Sequence, residues 1–158
     1  MTTSWRQFPG TPCERQRIVK TLVPLLSAAW LLAALPVAAA GPDAAKGLWM
    51  TAQNDAVIAF APCADAATAL CGRIVWDKDA GTPADTCGTL IARLERHADG
   101  AWRDGWVHDP RTGKNYKGAV RVKSGELHIR AFIGAEVLGQ TEILKAVTAL
   151  PAAPVCAR

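Results

Sequence analysis

From Gly47 onward, apolar and polar residues alternate in short runs, and each run ends in turn-forming residues. Two-residue periodicity at this spacing specifies strands, because successive side chains of a strand point to opposite faces. Gly47–Thr51 (GLWMT) is the first such run and Ala56–Ala61 the second, with Asn54-Asp55 turning between them and Pro62-Cys63 closing the second. Cys71–Trp76 follows, and the polar, Gly/Pro-bearing residues 77–86 read as loop. In Gly88–His97, Leu90, Ala92 and Leu94 oppose Arg93 and Glu95; Ala98-Asp99-Gly100 then turns the chain into Ala101–His108. After the Asp109–Gly113 turn, Tyr116–Lys123 and Glu126–Ile133 form a hairpin through Ser124-Gly125. Val120 and Val122 alternate with Arg121 and Lys123, and Leu127, Ile129 and Ala131 alternate with His128 and Arg130. Val137–Val147 is the last strand. Residues 64–70 (ADAATAL) are the one place where a helical turn competes. About eight short strands joined in chain order predict an all-β, antiparallel up-and-down barrel, whose interior holds its own side chains or one small ligand.

The N-terminal third has a different character. Arg15, Arg17 and Lys20 precede an uncharged apolar run from Leu22 to Val37, which ends in Ala38-Ala39-Ala40. Basic start, apolar middle and small-residue exit are the parts of a cleavable secretory leader. A membrane anchor is the competing reading, but it needs about 20 apolar residues, and this run is shorter and carries Pro24 and Pro36. The expected organisation is a signal peptide over 1–40, a barrel domain over 41–150 and an irregular tail over 151–158, in a periplasmic or secreted protein. The leader holds four basic residues and one acidic residue, so the whole-chain charge of +4 leaves +1 for the rest. A near-neutral domain without Lys/Arg runs argues against nucleic-acid binding.

Beyond the leader stand Cys63, Cys71, Cys87 and Cys156. An even number in an oxidising compartment favours disulfides over metal or catalytic thiols. Cys63 and Cys71 flank a short connection and pair most easily, for about 2.6 kcal/mol of chain entropy; a Cys87–Cys156 bridge would contribute about 4.4 kcal/mol. The alternative leaves Cys87 as a buried thiol and Cys156 free in the tail. No C-x-x-C or H-x-x-x-H spacing occurs, so no metal site is expected.

Trp49, Trp76, Trp102 and Trp106 make the domain rich in tryptophan. They can line a cup for a small, partly apolar molecule, or plug a narrow barrel and hold its ends. His108-Asp109 beside Arg111, Lys114 and Tyr116 is the most polar constellation, yet Asp109-Pro110 reads more naturally as turn chemistry. No G-x-S-x-G, phosphate loop or dinucleotide fingerprint is present, and Cys87 lacks a neighbouring His. No catalytic residue and no cofactor are therefore expected. The leading functional expectation is a non-enzymatic barrel that binds a small apolar or amphipathic ligand, with Trp49, Trp76, Trp106, His108, Tyr116 and Arg130 as lining and anchors. The alternative is an envelope interaction or stress protein with a filled core.

The segments GLWMT (47–51), APC…LCGRIVW (61–76), CGTLIARL (87–94), GWVHDPRTGKNY (105–116), ELHIRAFIG (126–134) and LGQT (138–141) together resemble an exported bacterial family, the domain of unknown function 2147. The resemblance implies a small calycin-like barrel outside the cytoplasm, with no established activity. Where the family continues to a Trp and an Arg, this chain has Leu144 and Ala146. Cover for Trp49 would then come from Lys145 or Arg130, or the barrel end closes differently.

Overall fold

A computed structural model describes residues 40–156; the leader expected over 1–40 lies outside the described residues except for Ala40. Eight antiparallel strands, each paired with its neighbours in chain order, close into one barrel. They are β1 (Gly47–Met50), β2 (Ala56–Cys63), β3 (Ala66–Asp77), β4 (Leu90–Ala98), β5 (Ala101–Asp109), β6 (Lys114–Lys123), β7 (Glu126–Phe132) and β8 (Gln140–Val147). Closure is made by β8 on β1, where Trp49 opposes Ala146. A closed cylinder leaves no unpaired strand edge.

Two connections depart from the sequence expectation. Residues 64–70 form no helical turn: β3 begins at Ala66, opposite Cys63. A turn that short cannot repay helix nucleation, and extension lets the segment join the β2 ladder. The last strand begins at Gln140, not Val137, because Glu136–Leu138 is a 3-10 turn. Gly134, with φ of +73°, breaks the extended run, and Arg130 binds the carbonyls of Glu136 and Val137.

Tight hairpins set the register elsewhere. Asp99-Gly100 and Ser124-Gly125 both have paired positive φ values, 52° and 69° and 53° and 81°, the two-residue turn whose twist matches the flanking strands. The second turn fixes Arg121 opposite His128 and Val122 opposite Leu127.

The interior is filled by its own side chains. Phe60, Leu70, Leu94, Val120, Leu127 and Leu144 are fully buried, and they join Trp49, Trp102, Ile58 and Ile74 in one core. Each large side chain so buried contributes about 1.5–3 kcal/mol of hydrophobic stabilisation. A 3-10 turn, Pro42–Ala45, plugs one end. The Trp49 indole donates to the Ala45 carbonyl at 2.9 Å, and the Trp102 indole donates to that of Pro42 at 3.0 Å. Neither Lys145 nor Arg130 covers Trp49 by a hydrogen bond; the chain just before β1 supplies its partner instead.

Both disulfides are present. Cys63–Cys71 ties the β2–β3 hairpin, and Cys87–Cys156 ties the C-terminal tail to the β3–β4 loop. Asp77 organises that loop, accepting from Asp79 N (2.9 Å), Thr86 N (2.8 Å) and the Thr86 hydroxyl. Burial pushes the Asp77 carboxyl up, but these donors outweigh it and hold the group below the ordinary carboxylate range.

Candidate functional site: an arginine-lined groove on the outer wall

Strand alternation places Val120, Leu127, Ile129 and Ala131 inward, so Arg121, His128 and Arg130 project from the outer wall. Arg103 joins them from β5. The β7–β8 loop folds back over this face and delivers Glu136, whose carboxylate receives both Arg103 and Arg121, the latter at 2.5 Å. Arg130 donates to the Glu136 carbonyl at 2.6 Å, the Val137 carbonyl at 2.7 Å and the Thr141 hydroxyl at 2.7 Å. Two guanidiniums thus share one carboxylate, and a third is held by the carbonyls of the same loop. The arginines are held by fixed partners while positive charge remains in excess, as oxyanion recognition requires.

Two adjoining concavities share Arg103. One, of about 510 Å³, is lined by Arg121, Lys123, His128, Arg130 and Val137 among others. Its neighbour, of about 580 Å³, is lined by Trp106, Lys117 and Phe132 with Gly105, Gly118 and Asp104, whose carboxylate is paired with Arg96. The pair forms an amphipathic strip across β5–β7, cationic on one side and aromatic on the other. Gly105 has a packing reason to lack a side chain: a Cβ there would lie 1.8 Å from the Arg93 carbonyl oxygen.

The open end of the barrel is acidic. Glu142 points inward, in register with Ile129, near Asp55, Asp109 and Arg111. Burial pushes its carboxyl up; Arg111 pulls it down, and Asp55 and Asp109 push it up further. The side chain still meets solvent, so screening keeps the effect modest. Asp109 performs the turn role, accepting from Arg111 N and the Thr112 hydroxyl, each at 3.0 Å. Burial raises its carboxyl, and these donors more than reverse the effect.

The residues expected to line a single cup are dispersed. Trp49 lies in the core at the plugged end and Tyr116 packs inward against Val107. Trp106 and Arg130 stand on the outer wall, each lining a different concavity. His108 is also outward, its Nδ1 2.7 Å from Asn115 Oδ1. Trp76 faces away from the core beside Val57, buried, with its indole N–H unpaired. Thus only Trp49 and Tyr116 share the interior, and Arg130 is an exterior charge because Ile129 and Ala131 claim the inside. Sequence reasoning missed Arg103, Arg121 and Glu136. The Ser124-Gly125 turn already pairs Arg121 with His128 and could have signalled part of the groove, whereas Glu136 comes from a loop with no periodic signature. Among the described residues, no cluster of three or more His, Cys, Asp or Glu has metal-binding geometry, and no helix is long and apolar enough to cross a membrane.

No curated protein matches the chain. Among solved structures, it is similar to protein HP1028 from the human pathogen Helicobacter pylori, described as belonging to the lipocalin family. The identity is 14%, over 65% of this chain and 82% of that one, with a TM-score of 0.47. The family described as "Uncharacterized protein conserved in bacteria (DUF2147)" matches residues 47–145, well over half of the sequence and nearly the whole barrel, and the chain belongs to that family.

Proposed function

We propose that this is an exported, non-enzymatic barrel that recognises a partly apolar, anionic partner on its outer wall rather than enclosing a ligand. One observation carries the reading. The core is packed with its own side chains, while on the outside Arg103 and Arg121 share the Glu136 carboxylate and Arg130 holds the Glu136 carbonyl. The aromatic shelf of Trp106 and Phe132 beside them suits an apolar portion of the same partner. Buried apolar area supplies affinity, and the guanidiniums supply orientation and selection for negative charge. The leader and the two disulfides support an oxidising compartment.

The test is an NMR titration with dodecyl phosphate below its micelle concentration. The expected shifts centre on the Nε–H groups of Arg103, Arg121 and Arg130 and on the Trp106 indole. Shifts centred on Trp49, Trp102 and Tyr116 would instead identify an interior site and overturn the proposal.

A further inference from the structure

The β7–β8 loop carries a second feature that the groove alone does not need. Ile133, Val137 and Leu138 are each 80% exposed. Large apolar side chains grouped at this exposure mark an interaction surface. The loop is not loose chain: Glu136 is held by Arg103 and Arg121, and the carbonyls of Glu136 and Val137 are held by Arg130. Ile133 and Leu138 are thus held exposed beside the groove, and Val137 stands at its margin as one of its lining residues. Beside it lie Arg103, Arg121, Lys123, His128 and Arg130, with Glu136 the one acid among the groove's lining residues.

We infer that this face docks on an anionic phospholipid bilayer, with Ile133, Val137 and Leu138 entering the interface and the arginine groove meeting the headgroups. Charge complementarity selects the occupant: cations beside a membrane-facing apolar group add binding only where the lipid surface is negative. The exposure of all three side chains favours a bilayer over a folded partner, because acyl chains flow around them, whereas a protein would need a matching socket. Docking would use the same groove, so the inference rests on the reading given above and specifies its partner as a phosphate-bearing lipid.

Vesicle co-sedimentation tests it with protein purified from cells expressing the full chain. Phosphatidylcholine vesicles are compared with vesicles of equal parts phosphatidylglycerol and phosphatidylcholine. The expected result is partitioning at least about tenfold stronger on the anionic vesicles, falling several-fold when salt is raised, as screening of surface charge requires. The double variant Ile133→Ser/Leu138→Ser, at two exposed positions that line neither concavity, should lose about tenfold of that partitioning while keeping the dodecyl phosphate shifts at Arg103 and Arg121. Because both side chains are already exposed, near-UV circular dichroism should be unchanged, and Ile133→Ser provides a milder second test. Equal partitioning on both vesicle types, or full retention by the loop variants, would overturn docking. So would a dimer in light scattering that the double variant abolishes, since the loop would then cover a second copy of the chain. Absent vesicle binding with intact dodecyl phosphate shifts refutes docking alone; loss of both signals refutes the outer-wall reading too.

Discussion

Replacing Leu127 by Ala measures directly whether the barrel is filled. Leu127 is fully buried, and its cross-strand partners are Leu144, also fully buried, on one side and Val122, packed against the core, on the other. Leucine-to-alanine changes in cores cost about 2–5 kcal/mol, and the value rises with the cavity that the surroundings cannot close. Here the surroundings are two ladder-bonded strands of a closed cylinder, which cannot collapse inward without breaking register. The upper half of the range follows, about 4 kcal/mol. For a domain near this size, 1 kcal/mol shifts the melting temperature by about 4 °C, so the variant should melt about 16 °C lower. Urea titrations followed by tryptophan fluorescence would give the stability, with an unchanged slope confirming that the denatured state is unaltered. A loss below about 1.5 kcal/mol would refute the argument, because only an interior that is already hollow could absorb the deletion so cheaply. In that case a ligand chamber would return as the natural reading.

Three further outcomes can be stated. Trp102→Phe should cost about 1 kcal/mol through its lost bond to the Pro42 carbonyl, whereas Trp76→Phe removes an unpaired buried N–H and should be neutral or stabilising; paired thermal melts would compare them, and equal losses would contradict the assignment. Asp77→Asn should be destabilising at neutral pH but converge with the parent in acid. The folded carboxyl titrates below its ordinary value, so its contribution is complete above about pH 4 and is lost as pH falls through the folded value; urea midpoints across pH 2–7 would show it. Removing the Cys87–Cys156 bridge with a double serine variant should cost more than removing Cys63–Cys71, by about 1.8 kcal/mol, because the longer loop gains more disorder when unfolded; the reverse order in denaturant titrations would refute the entropic account.

Much of the barrel is legible in the sequence because alternation maps onto inside and outside wherever register is unbroken. Leu127, Ile129 and Ala131 against His128 and Arg130 is the clearest case. Bulges account for the residues that stand elsewhere. Ile74 and Trp76 are two apart and ought to share a face, yet Ile74 pairs with Ile58 while Trp76 pairs with the adjacent Val57. The extra residue, Val75, inverts the phase and sends Trp76 outside. Trp102 and Trp106 are divided in the same way by the irregularity before Gly105, where Asp104 adopts a φ of +59°. An aromatic cup drawn from alternation alone therefore cannot form. The groove was hidden for another reason: its cations come singly from neighbouring strands, so no run of basic residues marks them, and the near-neutral total charge averages them away against the acidic open end.

The tail has a consequence for how the molecule ages. β8 ends beside Leu48, near the plugged end, whereas Cys87 lies in the connection leaving the opposite end of β3. Residues 148–155 therefore leave β8 and are tied back to the β3–β4 connection by the covalent bond at Cys156. A protease that cuts between Val147 and Cys156 would release nothing: the severed peptide would hang from Cys87, its mass increased only by water. Wear at this terminus stays invisible until a reductant arrives, and then the whole fragment departs at once.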